Sequence, residues 1–191
     1  AFNRIVDKGI DAENPRTAKR ELPTGALSTR FTWGFALGSA ALFATACAMI
    51  NHQTLILAPV ALLVVGGYSL TKRFTALCHM ILGLGLALAP LGGWLAAVGR
   101  PWEIVAGTEW APFGMSVFEP IAYANTSLSG TLGVLLVPSV LLLGIGVLLW
   151  VAGFDVIYSL QDEQFDRQQG LHSIPAKLGP KGALLLSRML Q

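Results

Sequence analysis

Charged residues are missing from four long stretches of the chain, and these stretches predict membrane-spanning helices. The uncharged stretches are residues 32–50, 52–71, 75–99 and 130–154. Each is close to the roughly 20 apolar residues that an α-helix needs to cross the hydrocarbon core of a bilayer. Of all 191 residues, 53% are hydrophobic and only 13% are charged, which is far too apolar for an ordinary soluble domain. The pattern therefore predicts an all-α, polytopic transmembrane helical bundle with four complete spans.

Lysine and arginine residues lie almost entirely on one side of these spans. They occur before the first span, between the second and third, and after the fourth, whereas Arg100 alone lies between the third and fourth. Positively charged loops tend to remain on the cytoplasmic side of a membrane. The distribution predicts that residues 1–31, 71–75 and 155–180 face the cytoplasm of a bacterial inner membrane. Residues 99–130 are predicted to face the opposite side, with their tryptophans and phenylalanines in an interfacial aromatic belt.

Polar side chains recur at helical spacing just after the fourth apolar stretch. This C-terminal row consists of Asp155, Tyr158, Asp162 and Asp166, separated by three, four and four residues. That spacing places the row on one face of a continuous helix. Three carboxylates on one face repel one another, and a hard cation such as Mg²⁺ relieves the repulsion by binding their oxygens. Taken alone, the row is equally compatible with a solvated helix face that carries acids by chance.

A second row of polar residues opens the chain. This N-terminal row consists of Asn3, Asp7 and Asp11, which are four residues apart and therefore also share a helix face. The Asn14-Pro15 pair is predicted to end that helix, because proline disfavours helical geometry in the residue before it.

Four basic side chains lie near the ends of the predicted helices: Arg16, Arg20, Lys72 and Arg73. A guanidinium group binds phosphate oxygens with two parallel hydrogen bonds, and a lysine adds a point charge. The alternative is that these residues anchor the protein to anionic headgroups or extend to the membrane surface. Anchoring needs only charge, and it does not require acids interleaved at helical spacing.

Three local features complete the pattern. His79, near the start of the third span, is interpreted as a hydrogen-bonded interfacial histidine and is left out of the predicted site. Gly170 predicts a sharp turn after the C-terminal row. The Gly179-Pro180 pair predicts a break before the next helix.

The two rows together resemble the two aspartate-rich motifs of the UbiA superfamily of intramembrane prenyltransferases. Asn3-x-x-x-Asp7-x-x-x-Asp11 is similar to the first motif, and Asp155-x-x-Tyr158-x-x-x-Asp162-x-x-x-Asp166 is similar to the second. The segment from Tyr68 to Arg73 resembles the Tyr-x-x-x-Lys-Arg element between them. Members of this family have nine membrane helices, four of which lie between the motifs. The resemblance is closest to 4-hydroxybenzoate polyprenyltransferases, through the segments NPRTAKREL and QDEQFDRQQGLHSIPAKLG.

The resemblance implies a single membrane-embedded prenyltransferase domain over residues 1–191 that is truncated at both ends. Residues 1–31 would carry the first motif and basic loop, 32–154 the four spans, 155–180 the second motif and loop, and 181–191 the start of the next helix. The implied partners are a polyprenyl diphosphate, an aromatic acid and the lipid bilayer. The resemblance implies neither nucleic acid nor a protein partner.

The implied reaction is the Mg²⁺-dependent transfer of a polyprenyl group to an acceptor such as 4-hydroxybenzoate in quinone biosynthesis. The metal ligands expected from the resemblance are Asn3, Asp7, Asp11, Asp155, Asp162 and Asp166. Tyr158 joins the acids at the catalytic centre, where it orients a carboxylate or faces the allylic cation, and Asp11 serves either the metal or the acceptor. The expected diphosphate-binding residues are Arg16, Arg20, Lys72 and Arg73.

Three alternatives follow from the same sequence. A menaquinone-pathway subgroup that prenylates a different aromatic acid shares the motif segments, and the sequence does not separate the two. A fragment of an ion transporter also carries acids in its helices, but such acids tend to lie near the middle of the membrane. A soluble isoprenyl diphosphate synthase has aspartate-rich motifs, but the four apolar spans exclude it.

Overall fold

The computed structural model describes residues 1–98 and 135–191, and the regular elements within these ranges are all helical. In chain order the helices are α1 (Phe2–Val6), α2 (Lys8–Glu13), α3 (Thr29–Ile50), α4 (His52–Thr71), α5 (Cys78–Val98), α6 (Pro138–Ser159), α7 (Glu163–Gln168) and α8 (Ile174–Leu190). A 3₁₀ turn, Leu160–Asp162, joins α6 to α7. The predicted all-α class is confirmed.

Four helical stretches are long and apolar enough to cross a membrane, as predicted. They are α3, α4, α5 and the stretch Pro138–Gln168, which contains α6 and α7. The first span begins earlier than predicted because the Ser28 hydroxyl caps it by accepting a hydrogen bond from Phe31 N at 3.2 Å. The fourth helix begins at Pro138, where the fixed backbone angle of proline suits a first turn. The predicted outer segment, residues 99–130 with its aromatic belt, lies outside the described residues.

The spans expose large apolar side chains over much of their surface. Leu42, Leu63 and Leu142, on three different helices, are 72%, 73% and 68% exposed. A helix that is apolar all round is stable only in a large core or in lipid. The exposed leucines therefore indicate the faces that contact lipid or further helices in the membrane.

Helices α5 and α6 form the most extensive helix–helix contact among the described helices. Gly83 lies at the closest approach, where a Cβ atom would be only 2.4 Å from the carbonyl oxygen of Leu148 and 3.4 Å from Cβ of Ala152. Small residues at such a position allow two backbones to approach within the membrane. This contact places the first turn of α5 beside the last turns of α6, where the C-terminal row begins.

The C-terminal row does not lie on one continuous helix, so that prediction was wrong. Helix α6 ends at Ser159, and Asp162 and Asp166 follow on the 3₁₀ turn and on α7. The sequence spacing could not show this break, because it occurs where side chains from the other end of the chain hold Asp162. The N-terminal row also crosses a helix boundary at Asp7, yet hydrogen bonds from Asp7 N to Asn3 O (2.9 Å) and from Asp11 N to Asp7 O (2.7 Å) keep helical spacing.

The loop after the C-terminal row has the predicted turns at its two glycines, but α8 already begins between them, so the prediction of a loop up to residue 180 was wrong. Gly170 has φ of 65°, and Gly179 has φ of 72°, both in the left-handed region that favours glycine. The Gly179 backbone breaks α8 into two parts before Pro180. Between the two glycines, the Ser173 hydroxyl caps α8 by accepting from Ala176 N at 3.3 Å.

Candidate active site

The predicted site residues all line one cavity of about 270 Å³. Its walls contain the polar positions of both rows and the four basic residues: Asn3, Asp7, Asp11, Arg16, Arg20, Lys72, Arg73, Asp155, Tyr158, Asp162 and Asp166. These residues are up to 163 positions apart in the sequence, from Asn3 to Asp166. The two rows therefore form opposite parts of a single site.

The N-terminal row contacts two arginines. Arg20 Nη1 donates to both oxygens of the buried Asp11, at 2.8 and 2.9 Å. Arg73 Nη2 donates to Asp7 Oδ1 at 3.3 Å and to the carbonyl oxygen of Val6 at 2.9 Å. The Asn3 amide donates to the other Asp7 oxygen, at 2.9 Å. Burial raises the pKa of Asp7 above its ordinary value, and the favourable charge of Arg73 only partly opposes that effect.

Asp162 is held by residues from the N-terminal basic loop. Arg16 donates to both of its oxygens, with Nε at 2.8 Å from Oδ1 and Nη2 in contact with Oδ2. The Asn14 amide donates to Oδ1 at 2.9 Å. The hydrogen bond to Asp162 raises the pKa of Arg16. This bidentate pair joins residues 146 positions apart and so connects the N-terminal basic loop to the C-terminal row.

Arg16 also contacts the tyrosine of the C-terminal row. Its guanidinium carbon lies 5.6 Å from the centroid of the Tyr158 ring, and Nη1 is 3.5 Å from the tyrosine hydroxyl. This distance is within the range of a cation–π contact. The Tyr158 ring therefore faces the Arg16 cation at the wall of the cavity.

Asp166 is fully buried, and its charge is balanced by Lys72. The Lys72 ammonium lies 2.7 Å from Asp166 Oδ1 as an ion pair, although the two groups are not aligned for a hydrogen bond. Oδ2 has no hydrogen-bond partner among the described residues. A buried carboxylate oxygen without a donor is costly in free energy, so this oxygen is suited to a cation.

Asp155 is paired with a residue that was not predicted to belong to the site. His79 Nδ1 lies 2.6 Å from Asp155 Oδ2, and the histidine lines the same cavity. A signal was present in the sequence, because an ionisable residue inside an apolar span is itself a reason to expect function. Asn14 was also not predicted to belong to the site, because it was interpreted only as the residue that ends the N-terminal helix, whereas its amide contacts Asp162.

The site therefore pairs each acid of the two rows with a basic group from elsewhere in the chain. From the sequence, the acids were expected to bind metal and the bases to bind diphosphate, whereas the structure brings the two sets into contact with each other. These contacts offset the like-charge repulsion within each row without a cation. They also leave both sets of groups facing the cavity.

The carboxylates of the cavity are of a kind that could serve as ligands of Mg²⁺. Over residues 1–98 and 135–191, no group of three Asp, Glu, His or Cys side chains is arranged to hold a metal ion by itself. Mg²⁺ usually binds one or two carboxylates and completes its shell with phosphate oxygens and water. The carboxylates of the two rows provide ligands of that kind, including Asp166 Oδ2, which has no hydrogen-bond partner among the described residues.

A second cavity, of about 380 Å³, lies beside the first and shares Asp11 and Arg20 with it. Its other walls are mainly apolar and include Leu22, Phe31 and Phe35. The chemistry-bearing residues of both rows are concentrated in the smaller cavity, so that cavity is the candidate active site.

Known proteins share this fold and these segments. The model of the UbiA prenyltransferase family matches residues 1–191. The apo structure of a UbiA homologue from Aeropyrum pernix K1 is 39% identical, with a TM-score of 0.79, over 99% of this chain and 59% of that one.

Two groups of named relatives match different extents of the chain. A 4-hydroxybenzoate octaprenyltransferase of Photobacterium profundum is 28% identical over 93% of this chain and 50% of its own length. A protoheme IX farnesyltransferase of Oleidesulfovibrio alaskensis is 36% identical over 52% of this chain and 36% of its own length. The chain thus spans about half the length, or less, of these relatives.

Proposed function

The chain belongs to the UbiA prenyltransferase family, and from this membership we propose that its protein transfers a polyprenyl group from a polyprenyl diphosphate to an aromatic acceptor. The observation that carries the proposal is the single cavity in which two acidic rows face Arg16, Lys72 and Arg73. A site that binds and ionises an allylic diphosphate needs acids that bind a divalent cation and bases that bind phosphate. The likeness to prenyltransferases over the whole chain supports the same reaction.

The first task of the site is to stabilise the leaving diphosphate. When the bond between the allylic carbon and its oxygen breaks, the electron pair leaves with the diphosphate and negative charge develops there. Arg16 and Arg73 provide donors for those oxygens, Lys72 adds a charge, and Arg20 lies on the same wall. Mg²⁺ bound with the diphosphate would supply further positive charge, with Asp7, Asp155, Asp162 and Asp166 as its nearest protein ligands and Asn3 and Asp11 beside them.

Substrate binding in this proposal is an exchange of ion-pair partners. Arg16 leaves Asp162 for a phosphate oxygen, and Lys72 and Arg73 leave Asp166 and Asp7 in the same way. The freed carboxylates then face the cation that accompanies the diphosphate. Because each broken pair is replaced by a charge-assisted contact of the same kind, the exchange avoids leaving an unpaired buried charge.

The remaining task is to protect the allylic cation from water until the acceptor reacts. Apolar side chains of Ile10, Leu82 and Phe165 line the cavity between the charged groups. The Tyr158 ring presents a π-face to positive charge in the cavity. The acceptor ring carbon then bonds to the allylic carbon and releases a proton, for which Asp11 is a candidate base.

We favour 4-hydroxybenzoate as the acceptor over two competitors. The relatives named for 4-hydroxybenzoate match nearly the whole chain, whereas those named for protoheme IX match about half of it. An aromatic acid of the menaquinone pathway fits the same mechanism and remains the second candidate.

The deciding experiment is product analysis. Membranes containing the full-length protein are incubated with Mg²⁺ and a polyprenyl diphosphate, together with 4-hydroxybenzoate, a menaquinone-pathway aromatic acid or heme, and products are identified by mass spectrometry. We expect prenylated 4-hydroxybenzoate, and none when Mg²⁺ is chelated. Prenylation of another acceptor alone would replace the proposed substrate, and prenyl transfer to none of them would overturn the proposal.

We also propose that the cavity faces the cytoplasm of a bacterial inner membrane. Single cysteines placed at Ser28 and Ser127, after replacement of Cys47 and Cys78, report the side on which each position lies. An impermeant thiol reagent applied to intact cells should label the cysteine at position 127 and spare the one at position 28. The reverse pattern would invert the orientation.

A further inference from the structure

His79 has partners on both ring nitrogens at the edge of the candidate active site. It lies in the first turn of α5 and is 2% exposed. Ring atom Nδ1 is 2.6 Å from Asp155 Oδ2, and Nε2 accepts a hydrogen bond from Ile174 N at 3.3 Å. The imidazole therefore bridges α6 and the start of α8.

For a neutral ring, these contacts are compatible with one tautomer. A backbone N–H can only donate, so Nε2 must present its lone pair to Ile174. The proton of the neutral ring then lies on Nδ1 and is donated to Asp155. Oδ2 of Asp155 is occupied by this bond, while Oδ1 has no hydrogen-bond partner in the part of the chain that the structure describes. Asp155 lines the cavity with a side chain that is 27% exposed.

The helix contact that brings the two residues together depends on Gly83. This glycine lies one helical turn beyond His79 and packs against Leu148 and Ala152, which precede Asp155 on α6. The close approach of the two backbones there sets the separation of the helices at His79 and Asp155.

The bridge also includes the loop that precedes α8. His172 N donates to the carbonyl oxygen of Lys72 at 2.7 Å, and the Cys78 thiol lies 3.5 Å from the carbonyl oxygen of His172. Residues 172–174 thus contact both the residue that pairs with Asp166 and the residue that pairs with Asp155. His79 is the side chain through which this loop reaches a row carboxylate.

We propose that His79 is a positioning residue for prenyl transfer: it orients Asp155 so that Oδ1 is presented to the divalent cation of the bound diphosphate, and it docks residues 172–174 against the site. The proposal rests on the function proposed above. A histidine that donates to a metal-binding carboxylate fixes the rotamer of that ligand before the metal arrives. Loss of such a partner typically weakens metal binding about 10- to 100-fold.

Two substitutions separate the two hydrogen bonds of His79. In His79→Asn, the amide nitrogen is as many bonds from Cα as Nδ1, so it can still donate to Asp155. In His79→Gln, the amide group is as many bonds from Cα as Nε2, so it can meet Ile174 but lacks the donor at the Nδ1 position. A merely structural role predicts that both variants lose metal affinity in proportion to their loss of thermal stability.

The measurement is Mn²⁺ binding by electron paramagnetic resonance on purified protein in detergent, with a non-reactive thiolodiphosphate analogue of the prenyl substrate present. We expect His79→Gln to weaken Mn²⁺ affinity about 10- to 100-fold and His79→Asn to recover most of it. Gly83→Ala should weaken it as well, because its Cβ would meet the Leu148 carbonyl, whereas Gly85→Ala, whose Cβ would lie 3.7 Å from Val65, is the matched control.

The outcomes distinguish the inference from the function on which it rests. If the parent protein binds Mn²⁺ and His79→Gln binds it with unchanged affinity, only the positioning role is overturned. The positioning role is also overturned if His79→Asn and His79→Gln lose Mn²⁺ affinity equally and in proportion to their decrease in melting temperature. Parent protein that binds no Mn²⁺ overturns the metal assignment and the inference together. If Gly83→Ala fails to fold, the comparison of the two His79 variants still decides.

Discussion

The two rows of the candidate site are similar in sequence but differ in how the fold holds them. In the N-terminal row, Asp11 is paired with an arginine nine residues away, and Asp7 is only loosely held by Arg73 at 3.3 Å. In the C-terminal row, the partners of Asp155, Asp162 and Asp166 are 76 to 148 residues away. The N-terminal row is thus stabilised partly by its own segment, whereas the C-terminal row depends entirely on the assembled bundle.

This difference suggests different tasks for the two rows before substrate binds. Asp162, with three donors from Arg16 and Asn14, joins the halves of the site and contributes to stability. Asp7 is half-buried, and burial raises its pKa despite the contact with Arg73, so we expect this carboxylate to contribute little to stability. A cation that binds Asp7 would displace a single arginine contact at 3.3 Å, whereas a cation that binds Asp162 would displace the two-pronged contact of Arg16.

Turnover should be the property most strongly affected in both rows. Asp7→Asn and Asp162→Asn each remove a proposed metal ligand, so we expect each to reduce prenyl transfer at least about a hundredfold. Glu163→Gln is the matched control, because Glu163 adjoins Asp162 in sequence but pairs with Arg167 and does not line the cavity. Product formation is measured in membranes with equal amounts of inserted protein. Near-normal turnover in either Asp variant would remove that row from the metal site.

The basic residues between the rows should be sensitive to geometry as well as charge. Arg16→Lys and Arg73→Lys keep the charge but lose the planar fork, so we expect an increase in KM for the prenyl diphosphate, or a decrease in kcat, of about 10- to 100-fold. KM for the acceptor should be nearly unchanged. Arg30→Lys, at an exposed position on α3, is the control. Wild-type kinetics in both variants would support lipid anchoring as the role of these arginines.

Substitutions in the two rows should differ in their effect on protein stability, although their effects on turnover should be similar. Asp162→Asn removes a charged acceptor of Arg16, whose side chain is 32% exposed, so we expect a loss of about 1.5–3 kcal/mol in the free energy of unfolding. The loss should appear as a lower Tm in detergent without substrate. An unchanged Tm would show that the Arg16–Asp162 pair does not join the two halves of the site.

The smallest expected effect is that of Asp7→Asn on stability, and it should depend on pH. The folded-state pKa of Asp7 is raised above the ordinary value of 3.8, so the folded protein holds this proton more tightly than the unfolded chain. Wild-type stability therefore falls, relative to the variant, as pH rises from below 3.8 through the folded-state pKa. At pH 7 we expect the variant to be at least as stable as wild type, and the difference should disappear below pH 3.8, where Asp7 is protonated in both states. A variant that is less stable at pH 7 would mean that the Arg73 contact outweighs burial.

Much of the fold could be predicted from the sequence because the signals are local. An α-helix satisfies its own backbone hydrogen bonds, so an uncharged stretch of about 20 residues is enough to predict a span without knowledge of its neighbours. Left-handed turns at Gly170 and Gly179 were predictable for the same reason. Helical spacing likewise grouped the residues of each row, because it depends only on positions along the chain.

Only the tertiary structure decided which groups face each other. The family resemblance implied that Arg16 binds phosphate and Asp162 binds metal, but the sequence could not show that these two residues contact each other across 146 positions. Nor could it place His79 beside Asp155, since that contact depends on two backbones meeting at Gly83. Helical periodicity is a property of neighbouring residues, whereas the pairing of distant charges follows from how whole helices pack. The sequence by itself therefore determined the spans and the members of the two rows, and the packing of α5 against α6 and of the N-terminal loop against the C-terminal row decided their partners.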